Sequence, residues 1–120
     1  MAAHNELGIK GEDLAVEWLE KNKFEILERN WKSRFEEIDV IAKKDGMLVI
    51  IEVKTRSSRV FGNPEESINL RKQRNLVQAT ESYIINKNSH LETRFDIISI
   101  ILNKSTFEIQ HIPYAFSPFD

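Results

Sequence analysis

A chain of 120 residues, 41% hydrophobic and 30% charged, can bury one core without staples and fits a single domain over residues 1–120. It holds no cysteine, which excludes disulfides, iron–sulfur clusters and thiolate zinc sites and suits a reducing cytoplasm. Its net charge of −2 argues against a protein that coats nucleic acid indiscriminately. Residues 1–6 lack the basic start and apolar core of a signal peptide. No apolar run approaches the roughly 18 residues of a membrane span, so the expectation is a cytoplasmic protein with no membrane partner.

Residues 12–22 predict a helix, with Leu14, Ala15, Trp18 and Leu19 at i, i+3, i+4 spacing. Residues 24–31, 38–42 and 47–53 predict three strands. Lys43-Lys44-Asp45-Gly46 is a hairpin signal between the last two. Residues 55–62 read as a loop. Asn63-Pro64-Glu65-Glu66 has the form of a helix start, with Asn63 as cap and Pro64 in the first position. That helix should run to about residue 85, bury Ile68, Leu76, Ala79 and Tyr83, with Ile84 beside them, and end at Asn86-Lys87-Asn88-Ser89. Residues 95–102 are dense enough in apolar side chains for a central strand. Residues 107–112 alternate as an edge strand would, and 113–120 read as an irregular tail. The order α-β-β-β-α-β-β predicts a mixed central sheet flanked by helices, with a right-handed crossover if the strands around the second helix are parallel.

The hairpin carries the chemistry. If Asp45-Gly46 are the centre of a type I′ turn, Lys44 faces Met47. Asp39 then lies opposite Glu52, with Cβ atoms about 5 Å apart. A four-residue loop would instead put Asp39 opposite Ile50, and a one-residue slip would send Glu52 to the other face. Glu52 and Lys54 share a face because strand side chains alternate. Two carboxylates with no cation between them repel. Mg²⁺ or Mn²⁺ takes oxygen ligands, and Mg²⁺ keeps several of its waters, so one or two carboxylates suffice. Asp39 and Glu52 are therefore the candidate metal ligands, with the Val53 carbonyl as a third oxygen. Lys54 would touch the attacking water or scissile phosphate of a phosphodiester hydrolase. A salt-bridge set closing a hairpin would use the same residue types.

Glu12 shares a helical face with Ala15, Val16 and Leu19, so its carboxylate can turn inward, and Gly8 and Gly11 allow close backbone approach. The helix dipole alone also favours a first-turn glutamate, and the residues leave these two readings level. From Lys54 to Arg74 the chain carries six basic residues, Lys54, Arg56, Arg59, Arg71, Lys72 and Arg74, against Glu65 and Glu66. A solvated charged face would do this. A phosphate-binding surface is favoured because the run begins at the carboxylates. Thr55, Arg56 and Arg59 would hold phosphate oxygens, Arg56 bidentately, together with Lys72. Arg71 and Arg74 read as exposed helical charges. Trp31 reads as core rather than a stacking platform. His4, His90 and His111 lack metal-ligand spacing and read as surface or capping residues. Asp96 reads as a structural partner of Lys72 or Arg94.

Gly8-x-x-Gly11-Glu12, Arg29-Asn30-Trp31, Glu37-Ile38-Asp39, Glu52-Val53-Lys54-Thr55-Arg56, Phe61-Gly62, Lys72 and Arg94-Phe95-Asp96 together resemble the YraN family of small bacterial proteins. That family is similar to the restriction-endonuclease-like superfamily and especially to archaeal Holliday-junction resolvases. The resemblance implies an αβββαβ core, metal ligands at Asp39 and Glu52, the superfamily lysine at Lys54 and a helix-one acid at Glu12. It implies a Mg²⁺-dependent endonuclease, or nuclease-like protein, acting on DNA, with branched, Holliday-junction-like DNA as the finer expectation. DNA is favoured over RNA by the resemblance, though not by the residues. Cutting two strands takes two sites, which a homodimer would supply. The alternatives are a non-catalytic nucleic-acid-binding module and an RNA-processing factor of the same fold. The sequence departs from the pattern twice: Glu36 stands where the family usually has glycine, and Ile38 where the superfamily has proline.

Overall fold

In the computed structural model, residues 6–57 and 68–118 are described. They form α1 (Glu6–Lys21), β1 (Glu25–Lys32), β2 (Glu37–Lys44), β3 (Met47–Arg56), α2 (Leu70–Lys87), β4 (Glu92–Leu102) and β5 (Phe107–Phe116). One sheet runs β1-β2-β3-β4-β5. The β3–β4 pair is parallel and the other pairs are antiparallel. This is the mixed α/β sheet that the order of elements predicts, with the αβββαβ succession complete by β4 and β5 extending it. Among the described residues no helix is long and apolar enough to cross a membrane.

The two sheet faces carry separate cores. Val49 and Ile51 of β3 pack with Ala15 and Leu19 of α1, and Val53 lies against that cluster. Leu48 and Ile50 pack with Leu76, Ala79 and Tyr83 of α2. Side chains alternate along a strand, so Glu52, Lys54 and Arg56 continue the α2 face, and Val53 and Thr55 the α1 face. Trp31 belongs to the α2-side core, edge-on to Tyr83 with ring centroids 5.3 Å apart, as its core reading expects.

The β2–β3 turn is the one predicted. Asp45 and Gly46 both have positive φ (52° and 76°), and Lys44 pairs with Met47. The ladder continues to Val40 opposite Ile51, and the next positions in that register are Asp39 and Glu52.

Several boundaries differ from the sequence reading. The first helix begins at Glu6 rather than at residue 12, because packing on β3 outweighs the low helix propensity of Gly8 and Gly11. Gly11 is required there: a Cβ on it would lie 1.8 Å from Thr55 Oγ1 and 2.7 Å from Thr55 Cβ. β3 extends through Arg56, and Thr55 and Arg56 are not loop residues, because parallel pairing with Ile100 and Ile101 supplies their ladder. The second helix does not run unbroken from residue 63. Asn69 is extended (φ −79°, ψ 174°), and its side chain caps α2 by accepting from the Lys72 N–H at 2.8 Å. The Asn63-Pro64-Glu65-Glu66 start lies outside the described residues. Asn88, left-handed at φ 52°, ends the helix, within the predicted stop. Leu76, Ala79, Tyr83 and Ile68 are buried.

The edge strand does not stop at Ile112, and the predicted tail from residue 113 is strand as far as Phe116. The register shifts between Phe95 and Ile97, where Tyr114 takes a positive φ of 53°. Fully buried Asp96 holds this bulge. Its carboxylate accepts the Tyr114 N–H (3.1 Å), both the Arg94 Nε and Nη2 hydrogens (3.1 and 3.0 Å) and a 2.7 Å bond from His111 Nε2. Phe116 then stacks on Phe95 at 4.7 Å.

Two stability outcomes follow. Gly11→Ala is expected to cost about 1–3 kcal/mol by forcing α1 off β3, with partial recovery in the Gly11→Ala/Thr55→Ala double variant, read by urea denaturation. Asp96→Asn leaves Arg94 without its buried counter-charge and His111 Nε2 with a weaker acceptor, and should cost about 3–5 kcal/mol. A loss of less than about 1 kcal/mol in the same titration would show that the bulge is held by packing alone.

Candidate functional site

The site forms where the hairpin ladder ends. Asp39 Oδ2 accepts the Val53 N–H at 2.8 Å, a bond across the hairpin from side chain to backbone. The Asp39 and Glu52 carboxyl groups are close enough to influence each other's ionisation. Glu52 is 8% exposed. Its Oε1 is buried and has no hydrogen-bond partner among the described residues, a costly state for a carboxylate oxygen. Its Oε2 lies 3.5 Å from the Lys72 Nζ.

Both acids resist ionisation. Burial holds the Asp39 carboxyl well above the usual carboxylate range. The Glu52 charge adds to the rise, the Val53 N–H opposes it, and Glu12 contributes more distantly. Glu52 is raised chiefly by burial, against the pull of the Lys72 and Lys54 ammonium groups. Burial works to lower Lys72, but Glu52 and Glu36 outweigh it and its net shift is upward.

The remaining candidates fall into three groups. Lys54 lies close enough to Glu52 to favour its charged form, and Lys72, whose orientation the sequence left open, turns into the site. Glu12 is buried and its charge reaches Asp39, so the inward reading holds. Asn30 donates to both of its carboxylate oxygens at 3.0 and 3.1 Å. No set of three or more acidic or histidine side chains among the described residues is arranged to hold a metal ion. Glu12 thus stands beside the acid pair rather than completing a triad with it. Val53 is tied to Asp39 through its N–H. Thr55 sits on the other sheet face, against Gly11, away from Lys54. Arg56 shares the face of Glu52 and Lys54 by strand alternation. Arg59 lies outside the described residues. Arg71 and Arg74 are exposed.

Sequence reasoning missed two participants in the site and one residue that holds the Asp96 bulge. Asn30 has φ 50°, a conformation Asn tolerates better than most residues, and this asparagine between Arg29 and Trp31 was the available signal. Glu36 was visible only as a departure from the family glycine; the structure gives its Oε2 a 2.7 Å ion pair with Lys72. His111 is neither surface nor cap: its Nδ1 accepts from Trp18 Nε1 at 3.2 Å while Nε2 bonds Asp96. Ninety-three residues separate Trp18 and His111, so no local pattern shows that bond. His90 is exposed as expected, and His4 is outside the described residues.

The model of the uncharacterised protein family UPF0102 matches residues 11–100, a span that holds every candidate residue. The chain belongs to the UPF0102 family. The UPF0102 protein of Flavobacterium psychrophilum is 48% identical over 119 residues, covering 99% of this chain and 100% of its own. That of Christiangramia forsetii is 47% identical over the same length and coverage. The Bacteroides thetaiotaomicron protein is 44% identical over 118 residues, 98% of each chain. The YraN-like resemblance is thereby borne out.

The raised carboxyls give this UPF0102 protein a pH signature without divalent cations. A carboxyl whose folded value lies above its unfolded one destabilises the fold once it must ionise. Stability should therefore be greatest below the ordinary Asp value of 3.8 as far as this group is concerned, and be lost as pH rises through the higher folded value. Asp39→Asn should be more stable than the parent near neutral pH, and the difference should shrink toward about pH 4. Urea midpoints measured across that window in chelator test this. A gap that widens on acidification would reverse the assignment.

Proposed function

We propose that this UPF0102 protein is a Mg²⁺- or Mn²⁺-dependent endonuclease that hydrolyses phosphodiester bonds in DNA, with branched, Holliday-junction-like DNA as its substrate class. The observation that carries this reading is the buried Oε1 of Glu52, unpartnered among the described residues, beside a second carboxyl whose ionisation burial and the Glu52 charge oppose. Such a pair fits a hard divalent cation, which binds through one or two protein carboxylates and fills its remaining positions with water. Asp39 and Glu52 would hold the ion. When bound, it supplies a water acidified for attack and a counter-charge for the leaving oxygen.

The chain's own residues do the rest. The Val53 N–H orients the Asp39 carboxylate from behind. Lys54, on the Glu52 face, offers an ammonium to the attacking water or to the non-bridging phosphate oxygens as their charge grows. Asn30 fixes the Glu12 carboxylate, whose negative charge increases the basicity of Asp39. Arg56, one residue pair along β3, extends the positive face along which a phosphate backbone would lie. Paired cuts in the two strands of a junction call for two such sites, and a homodimer supplies them.

Incubation with Mg²⁺ or Mn²⁺ on junction, flap, single-stranded and duplex DNA, and on RNA, tests the reading. The parent should cut junction DNA best. Asp39→Asn and Glu52→Gln should each abolish cutting with the fold intact. Lys54→Met should slow it roughly 10²–10³-fold, the scale for losing one electrostatic donor to the transition state. Equal cutting by the parent and both carboxylate variants would assign the activity to another site or to a contaminant. Binding of DNA without turnover in the parent would favour a non-catalytic binding module.

A further inference from the structure

An ammonium beside a buried carboxylate normally closes to a charge-assisted bond of about 2.7–2.9 Å. Lys72 does not close on Glu52. Its Nζ stands 3.5 Å from Glu52 Oε2 and 2.7 Å from Glu36 Oε2.

Both ends of the shorter pair are anchored. Glu36 closes the β1–β2 turn, where Ser33 brackets its backbone. The Ser33 hydroxyl donates to the Glu36 carbonyl at 2.7 Å and accepts the Glu36 N–H at 3.0 Å, and the Ser33 N–H donates to the same carbonyl at 3.3 Å. Lys72 is fixed by the Asn69 cap, which takes its N–H at 2.8 Å. The side chains of Glu36 and Lys72 are 21% and 32% exposed, against 9% for Glu52. The amine is thus drawn toward the wetter end of the site, and the buried end is left short of positive charge.

We propose that Glu36 is a positioning residue: it holds the Lys72 amine back from Glu52 Oε2, so that Oε2 as well as Oε1 stays open to a divalent cation. This rests on the reading of Asp39 and Glu52 as a metal site. Without Glu36 the amine needs to move less than 1 Å to close on Glu52, and an incoming cation must then displace it. The effect on the ion is indirect, because the Glu36 carboxylate is itself occupied by Lys72. Partners that orient first ligands in this way typically change metal affinity by tenfold or more.

Calorimetric titration of the full chain with Mn²⁺ alone, without nucleic acid, tests the proposal in a double-mutant cycle. Glu36→Gln should weaken Mn²⁺ binding about tenfold. Lys72→Met should tighten it, by removing the competing cation. In the Lys72→Met background, Glu36→Gln should change affinity by less than about twofold, since it then has no amine to restrain. Thermal denaturation in chelator confirms that each variant is folded. A tenfold loss that persists in the Lys72→Met background overturns the proposal and makes Glu36 a ligand or a long-range charge. No loss from Glu36→Gln in the parent overturns it as well. Asp39→Asn separates the two levels. If parent binding needs Asp39 but ignores Glu36, only the positioning role falls. If the parent binds no Mn²⁺, or Asp39→Asn binds as tightly as the parent, the metal site falls with it.

Discussion

Two carboxyl groups are forced together by a turn that cannot be shifted without exposing a core. Asp45 and Gly46 set a two-residue connection, and that connection fixes every opposing pair up the ladder to Val40 and Ile51. Moving the register by one residue would turn Val49 and Ile51 away from α1 and Leu48 and Ile50 away from α2, an error that a strand buried on both faces does not tolerate. Hydrophobic packing on two sides therefore holds Asp39 against Glu52 despite their repulsion. The energy that maintains the unfavourable pair comes from Leu, Ile and Val side chains several residues away.

Each helix contributes one element to the pair, and each does so through its own close approach. α1 can lie near the end of β3 only because Gly11 has no side chain at the point where Thr55 projects. That contact brings Glu12, the next residue, to the end of the sheet, where Asn30 meets it from β1. α2 contributes Lys72 from its first turn, and the extended Asn69 cap sets the angle. A helix running straight on from residue 63 would place Lys72 in mid-helix, with no cap bond to its N–H. The start of α2 after the extended Asn69 is therefore part of the site's construction.

What the sequence discloses and what it hides divide along the distance over which the responsible physics acts. The I′ turn, the facing of Asp39 and Glu52 and the apolar faces of both helices are short-range consequences of residue type and periodicity, and all are readable. The start of α1 at Glu6, the extension of β3 to Arg56 and the survival of β5 past Pro113 depend on partners far along the chain. Pairing with Ile101 makes a strand of a loop-like Thr55-Arg56. A carboxylate eighteen residues away draws the Tyr114 N–H into a bulge. The tie between Glu36 and Lys72 spans thirty-six residues, and Glu36 by itself reads only as an odd residue at a strand entry. The sequence could name most of the side chains that meet at the site, but not how they divide charge among themselves.

That division bears on the kind of cation the site suits. Asp39 and Glu52 sit at the buried end with Glu12 close by, and Glu36 lies at the wetter rim. Among the described residues the positive groups acting on Glu52 are Lys72, committed first to Glu36, and Lys54, which acts on it without an ion pair among those described. A single ammonium is a point charge with three hydrogens, and in this geometry it satisfies one oxygen of Glu52 at most. Among the described residues it leaves Oε1 bare and gives Asp39 no hydrogen bond beyond that of Val53. A compact double charge with several coordination positions would address both carboxyls at once, and would offset the burial that opposes ionisation of Asp39. The same reasoning explains why the basic stretch starts at Lys54 rather than inside the hairpin. Positive side chains placed among the carboxylates would neutralise the pair permanently. Placed one step along β3 and at the head of α2, they leave the pair short of positive charge, as the proposed cation and DNA backbone would require.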